Sequence, residues 1–348
     1  MSRTKLLVFC LLCMLVVSLV ACKPKAETPT KLNIFAWSDE IPAEIVEAFE
    51  AETGIQVTVD TYDSNESLIA KLEAGASGYD IVNPSQYAVQ ILARRGLLQE
   101  LDHSRIENFD NIGAVFRDPV YDPGLKHSIP YFWGTTGLAY NDTCVDEPIT
   151  SWAALWDPQY AGRIYMLDNM LAAYIAGLQV NGFDANSSDP EEIRIATDSL
   201  LAQKPLLAGY NATNYAELVS SGEACIVQAW SGSIGVLENP NVHYVIPDEG
   251  GTMWVDSFAI PRDAPNVDAA YMWLDFVLRP EIAAQATELS GMANTNDAAT
   301  PLLDPAIANN QAIYPPAERL ANCDFILDVG EAMVYYQEGW TEVKAAGQ

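Results

Sequence analysis

Positive charge is what this sequence has least of: 18 Lys and Arg stand against 47 Asp and Glu, a formal net charge of −29. So acidic a chain repels phosphate backbones, which excludes nucleic acid as a partner. It also favours the approach of small cations at low salt, although the same charge serves a simple solvated surface. Histidine is nearly absent, and His103, His127 and His243 lie too far apart for ligand spacing. Of six cysteines, Cys10 and Cys13 fall in an N-terminal apolar segment and Cys22 closes it. Cys144, Cys225 and Cys323 remain, enough for one disulfide and one free thiol with the pairing open. No Cys-x-x-Cys follows Cys22, which argues against a zinc or thioredoxin-type centre. Ser231-Gly232-Ser233-Ile234-Gly235 lacks the first glycine of a nucleophile elbow, no glycine loop is built to cradle phosphate, and no carboxylate pair is spaced as acid and base. Nothing asks for catalysis, a metal or a cofactor.

What is present is apolar bulk. With 348 residues and 49% hydrophobic content the chain can bury a large core, and two domains are expected. Arg3 and Lys5 precede an apolar run from Leu6 to Val20 that is too short and wrongly flanked to span a membrane. It ends in Leu19-Val20-Ala21-Cys22, which matches the bacterial lipobox. Residues 1–21 are therefore expected to be a signal peptide, Cys22 the lipidated residue, and 22–30, with two prolines, an extended tether. That places the chain outside the cytoplasm, periplasmic or otherwise, anchored by lipid.

Leu32, Ile34 and Ala36 alternate as in a strand, Pro42 opens a helix carrying Ile45, Val46 and Phe49, and Gly54 ends it before Ile55, Val57 and Val59 alternate again. Strand, helix, strand in that space predicts a right-handed parallel crossover and an α/β sheet, with ligands beyond the carboxyl ends of its strands. Trp37, Ser38, Asp39 and Glu40 follow the first strand and so occupy that rim. Asp63 and Glu66 are spaced for a reciprocal helix cap. Ser85 and Tyr87 follow the short strand Tyr79 to Val82, and Ser85 serves either as a cap or as a ligand contact. Ser128 to Asn141 is a strand leaving the first lobe, and Arg163 to Leu167 is a strand ending at Asp168 and Asn169. A buried run from Ala224 to Ala229 leads to Trp230 and Ser233. An amphipathic helix from Ala269 to Leu278 carries Met272, Trp273, Phe276 and Val277, its aromatics in the core, and Pro280 opens another.

The stretch Gly250 to Pro261 sets Trp254 and Asp256 two apart in a strand-like run, so both point to one face. Taken alone this is either a core tryptophan beside a strand-end acid or an aromatic wall beside a carboxylate, which together hold a cation.

The segments Ala36-Trp37-Ser38-Asp39, Asp63-Ser64-Asn65-Glu66, Pro84-Ser85-x-Tyr87, Ser128-Ile129-Pro130-Tyr131, Ser151-Trp152-x-x-Leu155-Trp156, Trp230-Ser231-Gly232, Trp254-Val255-Asp256-Ser257 and Ile313-Tyr314-Pro315-Pro316 together decide between them. Over nearly the whole mature chain the sequence resembles the solute-binding lipoproteins and periplasmic proteins of bacterial polyamine ABC transporters, the spermidine- and putrescine-binding family. The resemblance implies a two-lobe periplasmic binding protein fold of type II, an α/β fold in which each lobe is a mixed, mostly parallel sheet flanked by helices, with crossing strands as hinge. It implies lobes at 31–136 plus 256–302 and at 137–255 plus 303–348, and a monomer. It further implies capture of a polyamine between the lobes and its delivery to membrane permease subunits. Trp37, Trp230 and Trp254 match the family's aromatic walls, Ser38 and Ser85 its polar contacts, Asp256 its ammonium-gripping carboxylate, and Tyr87 an aromatic position of spermidine binders. Residues 293–302 and 37–39 resemble putrescine-type members.

The chain also departs from that pattern. Asn169 replaces an Asp of spermidine binders, Ala172 an acid, Met292 a tyrosine, Ile326 a late glutamine and Glu40 a tyrosine. The far ammonium site, where Asp168, Asn169, Ser233 and Met292 are candidates, is thereby weakened, while Asp39 and Glu40 are either a second acid or mouth residues in water. The alternatives are another amine or an amino acid derivative on the same scaffold, or an extracytoplasmic amine sensor without uptake.

Overall fold

The computed structural model describes residues 31–38 and 40–347. Strand β1 (Lys31–Trp37) and β2 (Gln56–Tyr62) run parallel around helix α1 (Ala43–Thr53), as the crossover requires. Gly54 ends α1 with φ 73°, a left-handed cap that residues with a Cβ adopt only at a cost. Ile45 and Phe49 are the buried face of α1. Helix α2 (Asn65–Glu73), β3 (Ile81–Val82) and α3 (Gln86–Arg94) follow, with β3 parallel to β1. The Asp63/Glu66 cap does not form. Ser64 is the N-cap, its Oγ accepting from Ser67 N at 3.2 Å, because the helix starts one residue later than that pairing needs.

The 14-residue β4 (Ser128–Asn141) is buried along its whole length. Beyond it come β5 (Ile164–Met166), α4 (Met170–Gln179), α5 (Pro190–Gln203), β6 (Leu207–Tyr210), α6 (Tyr215–Ser220), β7 (Ile226–Trp230), the short α7 (Ser231–Gly235), β8 (Val242–Val245) and β9 (Gly251–Ala259). Helices α8 (Val267–Val277) and α9 (Pro280–Ser290) return to the first sheet region, where Phe49 meets Trp273 and Phe276 edge-on at 5.1 and 5.3 Å. Burying each such side chain stabilises by roughly 2 to 3 kcal/mol. The aromatics of α8 are in the core as expected, while Met272 on the same helix faces out at 37% exposure. The chain ends through β10 (Ala293–Asn294), α10 (Pro305–Ala308), α11 (Ala317–Leu320), β11 (Cys323–Phe325) and α12 (Met333–Ala345). Tyr336 of α12 packs on Tyr174 of α4 at 4.7 Å and donates to Ser187 O at 2.6 Å.

The strands form one hydrogen-bonded path, β2-β1-β3-β9-β4-β7-β5-β6, with β8 and β10 on β4 and β11 on β9. Two parallel outer parts, β2-β1-β3 and β7-β5-β6, thus share a central antiparallel pair, β9 with β4. The two halves are joined through the sheet itself rather than being separate sheets. Cys144, just after β4, is bonded to Cys225, just before β7. Cys323 is free and buried, and burial pushes its thiol up to about 11.

Candidate ligand site

Asp256 sits in mid-β9 and is 6% exposed. It is aimed by a relay that crosses from α2 through the loop after β3. Asn65 Nδ2 donates to Ser85 Oγ at 3.0 Å, Ser85 N donates to Asn65 Oδ1 at 3.1 Å, and Ser85 Oγ donates to Asp256 Oδ1 at 2.5 Å. Ser85 therefore makes no side-chain cap on α3, although it holds the N-cap position. Its hydroxyl is engaged in orienting the carboxylate. The neighbouring Gln86, fully buried, fixes β9 from the same helix end: its Nε2 donates to Met253 O at 3.2 Å, and Val255 N donates to its Oε1 at 2.9 Å. Those two bonds bracket Trp254.

Trp254 lies over Gly134, its register partner in β4, and a Cβ there would stand 2.3 Å from Trp254 Cζ2. Ser231 Oγ accepts from Thr135 N at 3.1 Å, which brings Trp230, at the end of β7, to the same part of β4. Trp230 is half-buried and meets Tyr215 edge-on at 6.0 Å. Trp37 ends β1 beside Tyr62, their rings 4.6 Å apart, and the Tyr62 hydroxyl donates to Asn83 O at 2.5 Å. Burial first, then the charges of Asp256 and Glu40, raise the Tyr62 phenol well above its ordinary range. Burial and the Glu66 charge do the same for Tyr87, whose hydroxyl donates to Glu66 Oε1 at 3.1 Å, and Asp256 adds to it. These phenols stay neutral, so the negative charge of the site belongs to its carboxylates. One of them is Glu40, which is 5% exposed and also acts on the buried Tyr131, so it is not a mouth residue in water. Ser38 is exposed at the turn after β1, and Asp39 lies outside the described residues.

The remaining candidates stand apart from this group or play other parts. Asn169 is the N-cap of α4, its Oδ1 accepting from Ala172 N at 2.9 Å. Asp168 accepts from Lys344 Nζ at 2.7 Å. Ser233 is exposed on α7, and half-buried Met292 lies beside Gly232, its Cγ 3.2 Å from where a Cβ on that glycine would lie. Cys22, the leader and the tether lie outside the described residues. Surface recesses occur elsewhere, one among Leu72, Tyr79, Leu97 and Pro261 and one among Arg105, Asp268, Tyr271 and Asp275. No helix among the described residues is long and apolar enough to cross a membrane.

Tyr62, Asn65, Gln86 and Gly134 escaped the sequence reading. Asn65 lay in a quoted segment but read as part of a cap, and Gly134 acquires meaning only once the β4/β9 register is known.

Residues 44–315 match the family model described as bacterial extracellular solute-binding protein. The chain is 37% identical over 324 residues to the spermidine/putrescine-binding periplasmic protein of Escherichia coli (strain K12), covering 92% of this chain and 93% of that protein. Among solved structures, a putative spermidine/putrescine ABC transporter from Listeria monocytogenes aligns with a TM-score of 0.86 at 33% identity, over 91% of this chain and 99% of that one. The Tp0655 (TpPotD) lipoprotein of Treponema pallidum aligns at 0.83 and 29% identity, over 90% of this chain and 99% of that one. Folded as those structures are, into a periplasmic binding protein of two α/β lobes, this chain belongs to the bacterial extracellular solute-binding proteins.

Proposed function

We propose that this protein captures a small polyamine, of putrescine or spermidine type, and delivers it to the permease of an ABC importer. The observation that carries the reading is Asp256, a carboxylate 6% exposed and oriented by Ser85 on the same strand face as Trp254. A methylene chain lies against indole faces while its ammonium meets the acid, and both interactions gain as water is excluded. Trp37, Trp230 and Trp254 serve as walls, Tyr87 as a further aromatic, Ser38 as a polar contact, and Glu40 with Asp39 as the second acid. The burial of Glu40 and the shared effect of Glu40 and Asp256 on Tyr62 support that pairing. The names of the relatives from Escherichia coli and Listeria monocytogenes support the ligand class.

The lobes, 31–136 plus 256–302 and 137–255 plus 303–348, close about the β9/β4 pair, driven by the ligand's greater affinity for the closed state. The protein works as a monomer without catalysis, held at the membrane through lipid on Cys22 after removal of residues 1–21. The Leu19-Val20-Ala21-Cys22 motif supports the anchor.

A second reading has its own support. The Nε1 groups of Trp37 and Trp254 are buried and have no acceptor among the described residues, which favours an amine that also carries a hydrogen-bond acceptor, such as an amino acid derivative. A thermal-shift screen of the purified protein against polyamines, amino acids and quaternary amines separates the two. Ligand at 100 times its Kd adds about 2.7 kcal/mol to apparent stability, a rise of several degrees. A response to putrescine or spermidine is expected, and a response confined to amino acids would replace the first reading by the second.

A further inference from the structure

Strands β7, β5 and β6 lie side by side and parallel, so their carboxyl ends form one rim. Trp230 ends β7, Tyr210 ends β6, and Asp168 follows β5 between them. With strands about 4.8 Å apart, this rim extends the site by about 10 Å beyond Trp230. In such sheets ligands sit beyond those ends. Here a carboxylate and two aromatic rings are assembled there, and an ammonium already occupies them. Lys344 Nζ donates to Asp168 Oδ1 at 2.7 Å and stands 4.5 Å from the Tyr210 ring centroid and 5.4 Å from that of Trp340. The two rings meet edge-on at 5.2 Å.

The placement is held from below. Lys204, 7% exposed, donates to Val343 O at 2.5 Å and Lys344 O at 3.1 Å, capping the last carbonyls of α12 where a cation is favoured. The two nearby positions that follow Asp168 supply no further acid, because Asn169 is an amide used as a cap and Ala172 is buried beside it.

We propose that Lys344 is a specificity-determining residue, a resident cation that takes Asp168 and confines the site to short amines whose charge is met near Asp256. This rests on the polyamine reading. A longer triamine, reaching the rim, meets an acid already neutralised and a positive charge in its way.

The test is calorimetric titration of putrescine and spermidine into the wild-type protein, Lys344→Gln, Lys344→Arg and the double variant Lys344→Gln/Asp168→Asn. Lys344→Gln keeps the backbone carbonyl that Lys204 binds. Since the pair is partly exposed, it is expected to raise the spermidine-over-putrescine affinity ratio about fivefold. Lys344→Arg and the double variant are expected to keep the wild-type ratio. An unchanged ratio in Lys344→Gln, or a rise that survives Asp168→Asn, overturns this inference and leaves the polyamine reading standing. Wild-type protein that takes up neither amine overturns both.

Discussion

Replacing Gly134 with alanine tests whether Trp254 is a wall of the site. The added Cβ would lie 2.3 Å from Trp254 Cζ2, 2.8 Å from Cε2 and 2.8 Å from Ser231 Oγ. Carbon atoms are at ease at about 3.5 Å or more, so the overlap with the ring exceeds roughly 1 Å. Neither strand can yield easily, because Gly134 faces Trp254 in the middle of the regular antiparallel run from Phe132 to Thr136 and Gln86 holds the β9 backbone on both sides of Trp254. The indole must therefore swing away. Overpacking of this kind costs about 1 to 3 kcal/mol of stability. Losing one ring face against a cation costs a further 0.5 to 2 kcal/mol or so of binding, which is about a 2- to 30-fold rise in Kd. Thermal melting and calorimetry with putrescine read the two effects separately. A Gly134→Ala protein that melts lower yet binds putrescine as tightly as the wild type would refute the placement of Trp254 in the site.

Two further outcomes concern stability. The Cys144–Cys225 bond closes a loop with a sequence separation of 81, so Cys144→Ser/Cys225→Ser is expected to lose up to about 4.5 kcal/mol in denaturant titration, and a loss under about 1 kcal/mol would contradict the loop-entropy account. Glu52 receives both Arg279 guanidinium nitrogens at 2.8 Å, and that hydrogen bond holds its carboxyl below the ordinary value. A depressed carboxylate stabilises above its unfolded pKa, about 4.3, and stops doing so as pH falls through the lower folded value. The exposed pair is worth at most about 1 kcal/mol, so Glu52→Gln should melt slightly below the wild type at pH 7, with the gap closing below about pH 4. A gap that widens in acid would reverse the assignment.

Local pattern carried much of this fold. Period-two alternation places Trp254 and Asp256 on one face, and the strand–helix–strand order places Trp37 and Ser85 at strand ends, because both rules act within a few residues. What pattern could not carry is pairing across the chain. Ser85 reads equally as a helix cap or a ligand contact until Asp256, 171 residues away, turns out to accept its hydroxyl. Lys344 reads as a surface lysine until α12 brings it to Asp168, 176 residues earlier. Glu40 is two residues from the rim turn at Ser38 and gives no local sign that it is buried.

Asp256 is the residue on which the functional reading turns, and calorimetric titration of putrescine into the wild-type protein and Asp256→Asn examines it most directly. Removing the charge from a buried, hydrogen-bonded acid that grips an ammonium is expected to weaken binding about 10- to 100-fold. The variant should still melt cooperatively, since asparagine keeps an oxygen able to accept from Ser85. Putrescine bound equally well by Asp256→Asn would contradict the reading.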